Sequence, residues 1–206
     1  MAQQYKEKDN MNISFKGLSN TRYVADQQAG FDCWLEAIEN VVQLYYGDTA
    51  GNLNKLSDYL RQAMIQDNYA GYDAQTDNVD SPMIRYPEIL ARFGVSTKWY
   101  NFGKGDQFDH RALMQVLDQN RIALAVVNVQ HLPNYGGQKG YHAMVVADYV
   151  VDANNVLFYR GLDSNFEKQE QYWRALYLQN ALNFNPLMLK GQAQLLITDN
   201  RARWKN

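Results

Sequence analysis

The chain has 206 residues and a formal net charge of −2, the balance of 20 basic and 22 acidic residues. This balance excludes the strong positive charge typical of proteins that bind nucleic acids or anionic membrane surfaces. With 46% hydrophobic residues, the chain is long enough to build one sizeable core. We therefore expect a single domain over residues 21–206, preceded by a flexible arm of residues 1–20.

The single cysteine cannot form an internal disulfide, so the fold is not held together by cross-links. No apolar run reaches the roughly 18 residues that a transmembrane helix needs. The first residues, MAQQYKEKDNMNISFKG, are polar and lack the apolar core of a Sec-type signal peptide. These features predict a protein that is made in the cytoplasm and has no membrane span.

The first half of the chain is predicted to be helical. Apolar residues at helical spacing indicate helices over residues 33–46, 52–66, 87–93 and 108–119. Asp32 is a favourable N-cap for the first of these, and Gly47 a favourable stop. The polar, turn-forming residues 67–81 predict a loop.

The second half is rich in strand-forming segments. Runs of β-branched and aromatic residues indicate strands within residues 95–102, 121–130, 141–151, 155–162 and 191–199. A glycine-rich loop, residues 132–140, leads into the third of these strands. The order predicts an α+β fold, in which an N-terminal helical half packs against a C-terminal antiparallel β-sheet.

Residues that could form a catalytic site lie at the ends of these elements. Cys33 begins the first helix, where the helix dipole favours a thiolate. His142 lies on a strand and is placed to act as the imidazole partner of a thiol. Asp163 or Asn165 directly follows the next strand and is placed to orient that imidazole. An amide just upstream, Gln27 or Gln28, together with the backbone N–H of Cys33, is expected to form an oxyanion hole.

Each of these residues also has a simpler interpretation. A lone cysteine is more often a buried, inert side chain than a nucleophile. The other two histidines fit structural roles, His110 as a solvated helix start and His131 as the residue before a proline-containing turn. It is the joint order of cysteine, histidine and acid that favours a thiol enzyme. The sequence has no HExxH motif, zinc-ligand spacing or glycine-rich nucleotide motif, so no metal and no cofactor are expected.

Three segments carry a resemblance to a known family: QQAGFDCW with the apolar helix after it, GYHAMVVADY, and FYRGLDSN. They resemble the papain-like cysteine protease superfamily, in particular the bacterial branch that includes C39-like peptidases and related effector proteases. The pair Cys33–Trp34 is similar to papain and the effector branch, whereas the C39-like branch usually has glycine after the cysteine. The resemblance covers residues 20–165, and residues 166–206 match nothing in it.

The resemblance implies a role for each candidate residue. Cys33 is the nucleophile, His142 its acid–base partner, and Asp163 the residue that orients the imidazole. Because papain uses asparagine in this last role, Asn165 remains an alternative. The family's oxyanion glutamine lies six residues before the cysteine, which selects Gln27 and leaves Gln28 as the neighbouring choice.

The implied function is a cysteine protease that cleaves a peptide bond through a thioester acyl-enzyme. The alternatives are a deamidase or a transglutaminase-type acyltransferase with the same triad, or a non-catalytic papain-like binding module. Together with the absence of a Sec-type signal peptide, the resemblance implies a bacterial effector or toxin, delivered into another cell by a specialised secretion system, with a host-protein target or a cognate inhibitor as partner. The protein is expected to be a monomer. An intracellular housekeeping peptidase is the alternative context. Residues 67–86 and 132–140 are the loops expected to flank the cleft and set specificity.

Overall fold

A computed structural model of the protein describes residues 16–17, 33–46, 72–73, 78–79, 85–103, 105–166, 171–183 and 193–199. The α-helices within these ranges are α1 (Cys33–Tyr46), α2 (Tyr86–Arg92), α3 (His110–Asp118) and α4 (Ala175–Asn183). The strands are β1 (Lys16–Gly17), β2 (Tyr72–Asp73), β3 (Asn78–Val79), β4 (Thr97–Asn101), β5 (Ala123–Asn128), β6 (Tyr141–Val151), β7 (Leu157–Leu162), β8 (Gln171–Arg174) and β9 (Gln194–Thr198).

The predicted helices and strands that fall in these ranges are confirmed. α1 spans the predicted residues, and Asp109 caps α3 by accepting a 2.9 Å hydrogen bond from the backbone N–H of Ala112. The predicted helix over residues 52–66 lies outside the described residues, as do Asp32 and Gly47. The prediction of a plain loop over residues 67–81 is wrong in one respect, because β2 and β3 pair there as a short antiparallel hairpin.

The described strands form a seven-stranded antiparallel sheet and a separate two-stranded one. In the large sheet the order is β4-β9-β5-β6-β7-β8, and β1 pairs with β6 at Tyr149 and Asp148. Beyond Lys16 and Gly17, the arm of residues 1–20 lies outside the described residues. The mixture of helices and antiparallel sheet confirms the α+β class predicted from the sequence.

Helices cover both faces of the large sheet, a detail that the sequence prediction did not specify. On one face, Val145 and Leu196 share a buried cluster with apolar residues of α1 and α2. On the other face, Met144 and Ile197 share a second cluster with α3 and α4. Strand β6 shows this arrangement most clearly, because all of its residues between the two end residues are buried. A strand that is covered on both faces has apolar residues in succession instead of alternating apolar and polar ones.

Gly161 of β7 lies directly beneath a buried tryptophan of the neighbouring strand. A Cβ atom at this position would overlap the six-membered ring of Trp173. That ring has no space to move, since Trp173 is only 2% exposed and its Nε1 donates a 3.0 Å hydrogen bond to Oδ1 of Asn134. Glycine is therefore required at this point by close packing of two strands.

We expect Gly161→Ala to lower the free energy of unfolding by about 2–3 kcal/mol, because overpacking at a closed site forces side chains off their preferred rotamers. Urea unfolding monitored by tryptophan fluorescence measures the change. Trp173→Leu is itself expected to lower stability, but the double variant should lose less than the sum of the two single losses, since the overlapping ring is then absent. A single variant as stable as the wild type would contradict this packing.

His110 is not the solvated helix start that the sequence suggested. Its side chain is half-buried, with Nε2 2.9 Å from Oε1 of Gln179 and Nδ1 3.1 Å from the hydroxyl of Tyr159. Burial lowers the pKa of His110, and the Gln179 hydrogen bond and the charge of Asp109 offset this only in part. This histidine therefore joins α3 to α4 and β7, on the sheet face opposite α1, in a structural role.

In the part of the chain that the structure describes, no helix could cross a membrane.

Candidate active site

Cys33 is the first residue of α1, and α1 packs on the sheet face that carries Val145 of β6. The side chain of Cys33 is half-buried and contacts this cluster. Because Cys33 begins the helix, its sulfur lies at the positive end of the helix dipole. The predicted helix start therefore places the thiol at the boundary between core and solvent.

His142 and Asp163 come together because β6 and β7 are antiparallel neighbours. Val145 is paired with Leu162, so the start of β6 and the end of β7 lie at the same edge of the sheet. His142 is the second residue of β6, and Asp163 directly follows β7. Nε2 of His142 lies 2.8 Å from Oδ1 of Asp163, and both side chains are buried.

His142 is also hydrogen-bonded to Cys33. Since Nε2 faces Asp163, Nδ1 is the ring nitrogen that remains for the thiol. Burial alone would lower the pKa of His142, but the hydrogen bonds and charges of Asp163 and Cys33 outweigh it and raise this pKa to about 9. The imidazole is therefore held as an imidazolium at neutral pH, next to the sulfur.

The two candidate orienting residues occupy different sides of the imidazole. Asp163 contacts Nε2, whereas the Nδ2 amide of Asn165 lies 3.5 Å from Nδ1. The backbone N–H of Asn165 donates to Oδ1 of Asp163 at 3.1 Å. The geometry thus gives the orienting contact to Asp163 and places Asn165 beside the nitrogen that faces the thiol.

Tyr135 belongs to the same network, and the sequence did not single it out. Its hydroxyl donates to Asp163, 2.8 Å from Oδ2 and 3.0 Å from Oδ1, and accepts a 3.0 Å hydrogen bond from Nδ2 of Asn165. Burial and the charge of Asp163 raise the pKa of Tyr135, so the hydroxyl keeps its proton. Its only signal in the sequence is an aromatic residue inside the glycine-rich loop that precedes the His142 strand.

Gln27 and Gln28, the predicted oxyanion amides, lie outside the described residues. Among the described residues no group of three or more histidine, cysteine, aspartate or glutamate side chains is placed to hold a metal ion. The described part of the site is therefore a thiol, an imidazole, a carboxylate, an amide and a phenol.

We expect His142 to titrate near pH 9 in the folded protein, against 6.5 for an unperturbed histidine. Because the folded-state pKa is the higher one, the stabilisation from its proton is fully present below about pH 6.5 and is lost as the pH rises through about 9. NMR titration of the histidine ring carbons measures the pKa. In Cys33→Ala it should be lower than in the wild type, since one hydrogen bond and one charge are removed. A wild-type pKa at or below 6.5 would contradict the contacts described above.

Taken together, the site holds a thiol beside an imidazolium that a buried carboxylate orients. Such an arrangement can activate a sulfur nucleophile and donate a proton to a leaving group. Among known proteins, no family model matches the chain, and no curated protein is significantly similar to it in sequence.

Proposed function

We propose that the protein is a papain-like cysteine protease that cleaves a peptide bond through a thioester acyl-enzyme. One observation carries this proposal: the buried His142 bonds to Asp163 through one nitrogen while it is also hydrogen-bonded to the only cysteine. Perturbed titratable groups that converge in this way are typical of catalytic sites. The order of the elements supports the papain-like assignment, since cysteine begins a helix, histidine begins a strand and aspartate follows the next strand.

In the proposed reaction, the Cys33 thiolate attacks the carbonyl carbon of the scissile peptide. The tetrahedral intermediate collapses when the C–N bond breaks, and the proton on Nδ1 of His142 passes to the nitrogen of the leaving amine. Cys33 is left as a thioester and His142 as a neutral imidazole. Water then attacks the thioester, His142 accepts its proton, and the carboxylic acid product leaves the regenerated thiolate.

Asp163 keeps the imidazole in the required tautomer and stabilises the imidazolium. The backbone N–H of Cys33 and the amide of Gln27 or Gln28 are the proposed donors to the oxyanion. A non-catalytic binding module is disfavoured by the joint presence of Cys33, His142 and Asp163 together with a glutamine upstream of the cysteine.

A thiol-labelling experiment tests the proposal without knowledge of the substrate. At mildly acidic pH, iodoacetamide should alkylate Cys33 of the wild type much faster than it alkylates free cysteine. In His142→Ala, which retains the thiol but lacks the imidazolium, the rate should fall to that of free cysteine. Equal rates for the wild type and this variant would refute the proposal.

The reaction type and context are tested by mass spectrometry. Wild type and Cys33→Ala are expressed in a candidate host cell, and new protein N-termini are compared. New N-termini that require Cys33 would identify a protease and its protein substrate. Glutamine-to-glutamate changes or amine adducts without cleavage would instead identify a deamidase or an acyltransferase. The proposed role as an effector or toxin rests on the resemblance described above, and the same comparison tests it.

A further inference from the structure

Tyr135 is the donor to the outer oxygen of the Asp163 carboxylate. Oδ1 of Asp163 lies within hydrogen-bond distance of His142, of the backbone N–H of Asn165 and, at 3.0 Å, of the Tyr135 hydroxyl. Oδ2 receives the Tyr135 hydroxyl at 2.8 Å, its one partner among the described hydrogen bonds. A carboxylate held at both oxygens cannot rotate about its Cβ–Cγ bond without losing a contact, so the direction of Oδ1 towards His142 is fixed.

The short turn that carries Tyr135 is itself held in place. It is a 3-10 turn over Pro133–Tyr135, and Gly136 ends it with a positive φ of 59°. Nδ2 of Asn134 donates to Oε1 of Gln171 at 3.0 Å, and Oδ1 of the same side chain accepts from Nε1 of Trp173. The turn is thereby anchored to β8, which makes Tyr135 a rigid support for Asp163.

The Tyr135 ring is also fixed by its neighbours. It is 8% exposed and packs edge-on against Phe166, with ring centroids 5.3 Å apart. It lies 5.9 Å from the His142 ring. Through its hydroxyl it contacts Asp163 on one side and the Asn165 amide on the other. One hydroxyl therefore connects the groups that lie beside both nitrogens of His142.

We propose that Tyr135 is a positioning residue for the thiol chemistry: its hydroxyl fixes the Asp163 carboxylate and the Asn165 amide, and through them the orientation and proton affinity of His142. This inference rests on the proposed function for its effect on turnover. Its effect on His142 requires only the geometry. The titratable groups that reach His142 in this network are Cys33 from α1, Asp163 after β7 and, through Asp163, Tyr135 itself.

The sign of the effect follows from the hydrogen bonds. Tyr135→Phe removes the donor to Oδ2 and leaves the carboxylate charge compensated mainly by His142. The proton on Nε2 of His142 is then held more tightly, and the pKa of His142 should rise by about 0.5–1 pH unit. Turnover should fall about tenfold with little change in KM, because the imidazole is oriented less well and releases its proton less readily.

Tyr149→Phe is the matched control. Tyr149 is 6% exposed, lies on the same strand as His142, and its hydroxyl donates to Oδ1 of Asp118 at 2.8 Å. Both variants remove a tyrosine hydroxyl that donates to an aspartate, but Asp163 is buried whereas Asp118 is exposed to water. Tyr135→Phe should therefore lose more thermal stability than Tyr149→Phe, because it leaves a buried carboxylate oxygen without its donor. Only Tyr135→Phe should move the His142 titration and the pH profile of alkylation by iodoacetamide.

A His142 titration that is the same in wild type, Tyr135→Phe and Tyr149→Phe, or one that falls in Tyr135→Phe, would overturn the inference and leave Tyr135 a structural residue. Asn165→Ala is the second variant, since it removes the amide from the other side of the hydroxyl, and a smaller rise is expected for it. The proposed function fails separately: a wild-type thiol no more reactive than free cysteine would refute it, while the NMR titration would still decide the role of Tyr135.

Discussion

Cys33→Ala and His142→Ala are each expected to abolish peptide-bond turnover, and the double variant should be no less active than either single variant. In the proposed mechanism, the thiolate needs the imidazolium beside it, and the imidazole has no role in acyl transfer without the thiol. Residues that act as one unit show losses that do not add, and each single loss is expected to be on the order of 10⁵–10⁶-fold in kcat. Steady-state kinetics on a substrate identified by mass spectrometry measures these losses.

The fold should survive both substitutions. Cys33 is half-buried at a helix end, so its replacement by alanine removes one sulfur atom from the edge of a cluster. His142→Ala leaves the buried Asp163 without one of its donors, which we expect to lower stability by about 1–3 kcal/mol. Cys33→Ser is the matched control, because it retains a hydrogen-bonding group of similar size but lacks the thiolate. Appreciable turnover by either Cys33 variant would exclude the thiol mechanism.

Asp163→Asn is expected to reduce kcat on the order of 10³–10⁴-fold while the protein remains folded. The amide cannot stabilise an imidazolium, and it allows the ring to adopt the tautomer that lacks a basic nitrogen facing the thiol. Asp163→Ala should also reduce turnover strongly, although less completely than loss of the nucleophile. Asn165→Ala should cost about tenfold or less, because Asn165 approaches Nδ1 at 3.5 Å and makes no contact with Nε2.

These variants separate the two candidate orienting residues. Parallel measurement of kcat and of the His142 titration in Asp163→Asn and Asn165→Ala gives the comparison. The pKa of His142 should fall in Asp163→Asn, since the charge and hydrogen bond that raise it are removed. A silent Asp163→Asn together with an inactive Asn165→Ala would transfer the orienting role to Asn165.

Local periodicity predicted much of the fold. The apolar spacing after Cys33 defined α1, and the β-branched run after His142 defined β6, because these patterns arise from burial of one helix stripe or of one strand. The joint placement of Cys33, His142 and Asp163 was also predictable in outline, since each lies at an end of a recognisable element. The pairing of β6 with β7 then determines that His142 and Asp163 meet.

Other features depend on contacts that no local pattern records. Tyr135 contacts Asp163 only because its turn is anchored to β8, and β8 lies in the segment that the sequence left without an assignment. His110 looks solvated by its neighbours in sequence, yet Gln179 and Tyr159 enclose it from distant elements. The packing of helices on both faces of the sheet is likewise a tertiary feature. A continuous apolar strand is compatible with helices on both faces, but it does not specify which helices pack there.

The separation of the site residues along the chain has a consequence for biosynthesis. Cys33 is translated early, whereas its partners on β6 and β7 follow more than a hundred positions later. At roughly 5–20 residues per second, the ribosome needs on the order of 10 s to extend the chain from the cysteine to the aspartate. During that interval the sulfur has the reactivity of an ordinary thiol, since no imidazolium is present to activate it. In the proposed mechanism, hydrolytic capacity would therefore arise only when the sheet has assembled around the first helix.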